Sequence, residues 1–437
     1  MKLLKLTVGG FRNLAETTIE LEGITAFVSP NNYGKSNLMD AIQFAADFIN
    51  ESPRARSSMM AYVNGMPLVS KLENSDYRFE MEFEDPQLKE YRFVRYGFSF
   101  SWAKDREKGR KIVDEKIELS NKEGGLWTTY LRRDKGQYKK SHDTRSFRKI
   151  VLDPNQLAID VLTSIDDIDI NPAIRRIKSI SFAVCDSLDA GGRFRPLPIE
   201  IEGEKLSKEA IAFDDEDLPR SLFRLKNQAP DKFEDFLSAV FTLFPEFEDI
   251  SVNAYEIKQE EHDRLSKSFN HDDSDDTAPF HIKDEMYKMV VRDSHLNQSV
   301  DISRMSTGTK RLVWLIANVI IAGEVNAGCV GIEEIETSIH PKMLQELLEI
   351  LNDSKRETAL LLTSHSPFLI QYLKPQQIYL GVPNDEGVAV FKRIADGKMR
   401  TVLDNAHNRG LSFGEYLFEL MSSDDDDTSK LTRILEA

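Results

Sequence analysis

The stretch that decides the fold runs from Met305 to Pro367 and contains three motifs. In order, they read MSTGTKRLVWLIANVIIA (305–322), CVGIEEIETSIHPKMLQELLEIL (329–351) and TALLLTSHSP (358–367). The second and third motifs each begin with a short apolar run, which is typical of strands buried in a parallel sheet. Glu333 and Glu334 end one run, and His365 follows the other. Because open α/β sheets bind ligands at the carboxyl ends of their strands, we expect these side chains to meet and to support metal-assisted attack on a phosphate.

A phosphate-binding loop is predicted near the start of the chain, in the segment SPNNYGKSN (29–37). It follows a predicted strand at 24–28 and opens an amphipathic helix, which is the context that such a loop requires. Backbone N–H groups and the helix N-terminus would bind phosphate, Lys35 would reach the β- and γ-phosphates, and Ser36 would ligate Mg2+. Ser29 departs from the usual pattern, which begins with glycine. The predicted nucleotide-binding residues of the loop are Asn31, Asn32, Gly34, Lys35, Ser36 and Asn37.

Composition argues against several classes of protein. The net charge of -16 disfavours a protein that binds nucleic acid over its whole surface, since phosphate attracts basic surface. Cys185 and Cys329 lie in apolar runs, so we expect buried free thiols rather than a disulfide or a metal site. No signal peptide is recognised and no apolar run approaches the roughly 20 residues that cross a bilayer, which predicts a cytoplasmic protein without membrane contact.

The chain is long enough for two or three domains, and changes of pattern divide it into five segments. Its two ends would form one head, and the middle would hold a β-rich basic insertion, a helical lobe and a disordered acidic loop. After His365, short strands are predicted at 376–382, 387–393 and 399–403. The predicted segments are 1–56 and 280–437 for the head, 57–150 for the insertion, 151–257 for the lobe and 258–279 for the acidic loop.

The basic insertion is a candidate contact for DNA. Between residues 130 and 149, basic side chains are interleaved with aromatic ones, a mixture that attracts phosphate and stacks on bases. A solvated hairpin rim that balances an acidic body is the alternative interpretation, and the sequence leaves it open. The basic candidates are Arg132, Arg133, Lys139 and Lys140, and the aromatic ones are Tyr130, Tyr138, His142 and Phe147.

Four motifs, taken in chain order, resemble those of the ABC-type ATPases of the SMC and RecF class. They are the phosphate loop, Ser306-Thr307-Gly308, the paired glutamates and His365. The resemblance is greatest to the ATPase modules of the overcoming-lysogenisation-defect (OLD) family and their relatives in anti-phage defence, such as Septu-type and PARIS-type ATPase subunits. It rests on GGFRNL, SPNNYGKSN, MSTGTKR, GIEEIETSIHP and TSHSP, and it covers about residues 1–50 and 280–380. It implies an α/β fold, an ABC-type P-loop ATPase head with a mixed sheet and an inserted α/β-helical lobe.

The resemblance also implies a role for each residue of the nucleotide site. Lys35 would bind the phosphates of ATP, Glu334 would be the general base, and His365 would contact the γ-phosphate. Mg2+ would be held by Ser36 and by Glu333, which stands where the family usually has aspartate.

Two further motifs carry implied roles. Ser306 and Gly308 resemble the signature motif, which acts in trans on nucleotide held by another subunit. The active site would therefore be complete only in a homo-dimer or a higher homo-oligomer. Arg12 and Asn13 resemble an early element of the family that lies near the nucleotide.

The resulting functional prediction is an ATPase that regulates a separate effector, a nuclease or a toxin, in anti-phage defence. The segment after His365 is short for the C-terminal nuclease domain of OLD proteins, so we expect the effector to be a second protein. Two alternatives remain open at this stage. One is a scaffold that senses nucleotide without hydrolysing it and holds a nuclease, and the other is a DNA-repair ATPase similar to RecF or SMC.

Overall fold

The structure, a computed structural model, describes most of the chain in two compact units. The first unit comprises Met1–Val184, Ala327–Ile335 and Glu357–Ala437, and the second comprises Cys185–Asn326 and Glu336–Arg356. The residues outside the description are 89–90, 104–110, 142–145, 166–167, 186–189, 196–197, 202–210, 212, 214–215, 269–279, 382–385, 423–424 and 436–437.

The described strands and helices are numbered in chain order. The strands are β1 (Lys2–Gly9), β2 (Thr17–Glu20), β3 (Ile24–Val28), β4 (Tyr77–Glu84), β5 (Phe93–Ser101), β6 (Lys111–Ser120), β7 (Thr128–Arg132), β8 (Gln137–Tyr138), β9 (Arg148–Lys149), β10 (Phe182–Cys185), β11 (Ile199–Ile201), β12 (Phe247–Glu256), β13 (Phe280–Ile282), β14 (Glu285–Asp293), β15 (Val300–Asp301), β16 (Cys329–Ile332), β17 (Ala359–Ser364), β18 (Ile378–Gly381) and β19 (Phe391–Lys392). The helices are α1 (Lys35–Asn50), α2 (Pro53–Met59), α3 (Ala158–Leu162), α4 (Asn171–Lys178), α5 (Leu218–Gln228), α6 (Pro230–Leu243), α7 (Gln259–Ser268), α8 (Thr307–Glu324), α9 (Pro341–Ser354), α10 (Pro367–Gln371), α11 (Met399–Asn408), α12 (Phe413–Ser422) and α13 (Asp425–Ile434).

The first unit contains a six-stranded sheet with the order β10-β16-β17-β3-β18-β19. Strands β16, β17, β3 and β18 are parallel, so their carboxyl ends lie at one edge of the sheet. Every residue of β3, β16 and β17 is buried, which confirms the prediction of apolar strands inside a parallel sheet. The phosphate loop follows β3, the paired glutamates follow β16, and His365 follows β17. The topology therefore brings the three predicted motifs to the same edge.

This unit also contains an antiparallel sheet of eight strands, in the order β2-β1-β4-β5-β6-β7-β8-β9. Strand β1 pairs with β4 in the register Leu6↔Met81, so the strands of the predicted insertion continue the N-terminal strands. Helix α1 packs on this sheet through Phe48, whose ring centroid lies 5.0 Å from those of Phe98 and Phe100. Segment 57–150 is therefore part of the head core rather than a separate insertion.

A buried arginine secures the end of α1. Arg56 is only 1% exposed, and its guanidinium donates to the carbonyl oxygens of Phe48 (2.7 Å) and Ile49 (2.9 Å). The last carbonyls of a helix have no partner within the helix, so these bonds cap α1. Arg56 also forms an ion pair with Asp160 of α3, which links α1 to the following segment.

The second unit is described by itself. Its helices α5, α6, α8 and α9 pack against one another, its three-stranded sheet has the order β12-β14-β15, and β11 pairs with β13. Pro219 and Pro230 stand in the first turns of α5 and α6, as predicted, because the first turn needs no N–H donor there. Helices α3 and α4 of the predicted helical lobe, in contrast, belong to the first unit.

Two local predictions are wrong. Part of the predicted disordered loop 258–279 forms helix α7, with acids in its first turn and Lys267 in its last, the charge order that favours a helix dipole. Residues 269–279 lie outside the described part. The predicted strand at 399–403 is the start of α11, because Val402 and Ala406 are buried one helical turn apart on one face.

Cys185 and Cys329 are buried, as the sequence predicts, and neither forms a disulfide within the described part of the chain; burial raises the pKa of the Cys329 thiol well above its usual value. Among the helices that the structure describes, none combines the length and the apolar composition needed to cross a membrane.

Candidate active site

The loop between β3 and α1 has the backbone of an anion-binding site. Asn32 has a φ of +58° and Gly34 a φ of +120°, and left-handed residues of this kind form backbone nests that bind anions. A Cβ at Gly34 would lie 2.8 Å from Ala389 Cβ and 2.8 Å from Asn13 Oδ1, so the site requires glycine. Gly34 is also the N-cap of α1 and contributes no side-chain cap, which leaves the N–H groups of the first turn to a ligand.

The unusual residue Ser29 is accommodated by a glycine on a neighbouring strand. Ser29 is fully buried, and a Cβ at Gly381 of β18 would lie 2.7 Å from Ser29 Cβ and 2.5 Å from Tyr33 Cδ1. The Tyr33 hydroxyl donates to Val388 O (3.2 Å) and accepts from Val390 N (3.3 Å), and burial raises the pKa of Tyr33. These contacts tie the loop to the segment before β19. No motif in the sequence pointed to Tyr33 or Gly381.

Lys35 lies inside the loop and is 6% exposed. Its Nζ donates to the carbonyl oxygens of Ser29 (2.9 Å) and Pro30 (3.1 Å) and to Ser29 Oγ (3.2 Å). It also lies 3.2 Å from His365 Nδ1. The ammonium therefore sits at the centre of the loop, surrounded by the kind of oxygen acceptor that phosphate oxygens would replace.

His365 connects Lys35 to Glu334. Because the Lys35 ammonium is a donor, His365 Nδ1 acts as the acceptor, and a neutral imidazole then carries its proton on Nε2. His365 Nε2 lies 3.8 Å from Glu334 Oε1. The side chains of His365 and Glu334 are 30% and 44% exposed, so both remain accessible to a ligand. Three side chains predicted from distant parts of the sequence thus form one continuous group, while their chemical roles remain predictions.

The paired glutamates differ in backbone and surroundings. Glu333 is half-buried and directly follows Ile332, the buried last residue of β16. Glu334 has a φ of +46°, a left-handed conformation that residues with a Cβ rarely adopt. Its N–H donates to Thr363 Oγ1 (3.0 Å), a contact that the sequence analysis missed. The sequence feature that could have indicated this contact is the threonine two positions before His365, on a strand predicted to be buried.

Arg12 and Asn13 lie behind the loop and support it. Arg12 donates to Asn64 O (2.8 Å) and to Asn37 Oδ1 (2.8 Å) and forms an ion pair with Asp40. Asn13 Nδ2 donates to the carbonyl oxygens of Tyr33 (3.2 Å) and Gly387 (3.1 Å), and Asn13 Oδ1 accepts from Asn37 Nδ2 (2.7 Å). Their described contacts are thus made to the loop, to the start of α1 and to Asn64 and Gly387, and direct contact with nucleotide remains a prediction. Asn31 and Ser36 are exposed in the loop and in the first turn of α1.

Ser306 and Gly308 belong to the second unit. Ser306 is the N-cap of α8, and its Oγ accepts from Thr309 N (3.1 Å). A Cβ at Gly308 would lie 2.6 Å from the carbonyl oxygen of Ser338, so only glycine permits this close approach. Ser338 follows the paired glutamates in the chain and has a φ of +64°. Within the second unit, the predicted signature motif therefore packs tightly against the segment after the glutamates.

The basic candidates of segment 130–149 do not form one common surface. Arg133 has a side chain that is 8% exposed, and it donates to the carbonyl oxygens of Ile112 (3.0 Å), Gln156 (2.6 Å) and Asp153 (2.9 Å). The predicted DNA contact of Arg133 is therefore wrong, because its guanidinium is used inside the protein. Tyr130 and Tyr138 are buried as well.

A smaller basic group remains at the surface. The ring of Phe147 lies 5.3 Å from Arg132 Cζ and 5.2 Å from Lys139 Nζ, and the adjacent Arg148 and Lys149 are exposed. Lys140 is half-buried, and its carbonyl oxygen accepts from Asp169 N. His142 lies outside the described residues.

Comparison with known proteins bears on the family and the fold of the chain. Residues 24–371 match the family model described as "AAA domain, putative AbiEii toxin, Type IV TA system". None of the curated proteins compared with the chain matches it. The SMC head bound to the C-winged helix domain of ScpA is 14% identical, with a TM-score of 0.50, over 92% of this chain and 100% of that chain. The SMC head domain from Thermotoga maritima is 12% identical, with a TM-score of 0.44, over 90% of this chain and 100% of that chain. The first likeness shows that the fold is the mixed α/β fold of an ABC-type P-loop ATPase head, as predicted.

Proposed function

Because the chain belongs to the AbiEii-toxin-like family of AAA domains, we propose that it is an ABC-type ATPase that binds ATP and hydrolyses it. The observation that carries the proposal is the continuous contact from Lys35 through His365 to Glu334. This contact joins an ammonium group, an imidazole and a carboxylate beside a loop whose backbone can bind phosphate. Phosphoryl transfer to water depends mainly on such positioning and charge stabilisation.

In the proposed reaction, the phosphates of ATP replace the loop oxygens that now accept from Lys35. The N–H groups of the loop and of the first turn of α1 hold the β-phosphate, and the Lys35 ammonium neutralises charge that develops on the γ-phosphate. Glu334 orients the attacking water and accepts its proton. His365 donates from Nε2 to the γ-phosphate, since its Nδ1 faces the Lys35 ammonium.

The chain offers suitable ligands for Mg2+. The Ser36 hydroxyl is exposed in the first turn of α1, and the Glu333 carboxylate follows the end of β16. Both are hard oxygen donors, and Mg2+ in nucleotide sites usually has few protein ligands beside phosphate and water. When bound, Mg2+ would neutralise charge on the β- and γ-phosphates.

The proposed ATPase works as a homo-dimer or a higher homo-oligomer. Ser306 and Gly308 stand at the N-terminus of α8, where backbone N–H groups favour an anion. We assign them to nucleotide held by a second copy of the chain, following the resemblance of their motif. The same resemblance supports a separate nuclease or toxin as the effector in anti-phage defence, and the family description names a toxin–antitoxin system.

Turnover of ATP by variants of Glu334 tests the proposal. Glu334→Gln keeps the shape of the side chain but removes its basicity, so the rate of phosphate release should fall by roughly 100-fold or more, within the range of general-base catalysis. Binding of a non-hydrolysable ATP analogue should remain. Glu346→Gln, at an exposed position of α9, is the matched control and should keep the wild-type rate. A wild-type rate no higher than that of Glu334→Gln would refute hydrolysis.

A scaffold that binds ATP without hydrolysing it is the second candidate. The supporting observation is that Lys35 is held by three oxygens of its own loop, one of them contributed by the unusual Ser29. Equal background rates in wild type and Glu334→Gln, combined with retained analogue binding, would favour this candidate. A DNA-repair role similar to that of RecF or SMC would require DNA to raise the rate of turnover.

A further inference from the structure

We propose that Thr363 is the positioning residue of Glu334: its hydroxyl holds the backbone of the general base in the left-handed conformation that directs the carboxylate toward His365. This inference rests on the proposed ATP hydrolysis. It concerns a residue whose hydroxyl accepts from the Glu334 N–H and so acts through Glu334.

The hydrogen bond between the two residues is the first argument. The N–H of Glu334 donates to Thr363 Oγ1 over 3.0 Å, and Glu334 has a φ of +46°. A left-handed residue with a Cβ is strained, and it persists only where neighbouring groups determine its conformation. The Thr363 hydroxyl bonds to this peptide and therefore supplies such a constraint.

A second bond fixes the same turn from the backbone. The N–H of Ile335 donates to the carbonyl oxygen of Thr363 (3.3 Å). One residue of β17 therefore accepts from two successive N–H groups of the turn that follows β16. The backbone bond survives any substitution of Thr363, whereas the bond to Glu334 depends on the side chain. The hydroxyl can thus be tested separately from the strand pairing.

The position of Thr363 in β17 connects the base to the histidine. Thr363 lies in β17, and His365 comes two residues later, directly after Ser364 ends the strand. Thr363 holds the main chain of Glu334, while His365 Nε2 lies 3.8 Å from its carboxylate. Thr363 is 2% exposed, so water does not readily replace its hydroxyl. Loss of that hydroxyl leaves the Glu334 N–H without its acceptor and releases the turn.

Thr363→Val is the central test, because valine has the shape of threonine without the hydroxyl. We expect the maximal rate of ATP hydrolysis to fall by roughly 100-fold, as expected for a displaced catalytic group. KM and the affinity for a non-hydrolysable ATP analogue should stay within about twofold, because the phosphate loop keeps its contacts. Thr363→Ser restores the hydroxyl and should recover most of the rate. Faster amide hydrogen exchange at Glu334 in Thr363→Val should accompany the loss.

Thr25→Val provides the matched control. Thr25 is a buried threonine of the neighbouring strand β3, in register with Leu361 of β17, and its hydroxyl has no hydrogen-bond partner among the described residues. It should keep the wild-type rate. A Thr363→Val variant that is folded and turns over like wild type would overturn the proposal while leaving ATP hydrolysis intact. Loss of analogue binding together with the rate, or failure of Thr363→Ser to recover the rate, would assign Thr363 a merely structural role. A wild type without turnover would refute the proposed function and this inference together.

Discussion

Replacement of Glu115 by glutamine is expected to remove a pH dependence from the stability of the first unit. Glu115 is a fully buried residue of β6. Its carboxylate accepts from Ala158 N (2.6 Å), Ile159 N (3.2 Å) and the Tyr96 hydroxyl (3.2 Å). Arg133 Nη1 lies 3.7 Å away. Burial raises the pKa of Glu115 to about 7, since the hydrogen bonds and the nearby Arg133 charge offset only part of the lost hydration.

The sign and size of the effect follow from this pKa. The unfolded chain has the ordinary glutamate value of 4.5, so between about pH 4.5 and pH 7 the folded protein keeps a proton that the unfolded chain has lost. The free energy of unfolding therefore falls as the pH rises through this window. The full difference is roughly 3 kcal/mol, at about 1.4 kcal/mol per unit of pKa. Glutamine does not titrate, so the variant lacks this contribution.

Denaturant unfolding of wild type and Glu115→Gln, followed by circular dichroism at several pH values, measures the effect. Other titrating groups affect both proteins equally, so the informative quantity is the difference between their free energies of unfolding. From pH 5 to pH 8, wild type should lose roughly 2 to 3 kcal/mol relative to the variant. Parallel pH profiles of the two proteins would refute the reasoning, because they would show that Glu115 titrates alike in the folded and unfolded states.

Three further predictions concern other buried and exposed charges. Arg56→Met removes two hydrogen bonds to the end of α1 and one partner of Asp160. Denaturant unfolding should show that the free energy of unfolding falls by roughly 3 kcal/mol. A decrease below about 1 kcal/mol would contradict the capping role. If DNA binds beside Phe147, the double variant Arg132→Ala and Lys139→Ala should reduce the slope of log affinity against log salt by about 2 in fluorescence-anisotropy titrations. Arg133→Ala should instead reduce the stability of the protein. An unchanged salt slope in the double variant would support the alternative interpretation, in which this surface is a solvated hairpin rim.

The fold class and the components of the site were predictable because their signals are local. A buried parallel strand is an apolar run, as in ALLLTS of β17, and a phosphate loop has a glycine and a lysine between a strand and a helix. Even the departure at Ser29 is visible in the sequence. The compensating Gly381 is not, because it lies on a strand more than 300 residues later and meets Ser29 only through the sheet.

The predictions for Arg133 and for segment 57–150 differ from the structure for the same physical reason. Arg132 and Arg133 are adjacent arginines in the same basic segment, so the sequence does not distinguish them. In the folded chain, however, carbonyl oxygens surround the guanidinium of Arg133. Segment 57–150 resembles an insertion along the sequence, yet the pairing of β1 with β4 makes it part of the head. In both cases the environment of a residue depends on segments distant in the chain.

The sequence by itself determined which chemical groups the protein carries and in what order: a loop for phosphate, a pair of carboxylates and a histidine, each at the end of a predicted strand. Only the tertiary structure decided which groups touch. The order β16-β17-β3 places Glu334, His365 and Lys35 at one edge, and it places Thr363 beneath the peptide of Glu334. Strand order and register are set by packing across the whole core, so no single stretch of sequence records them.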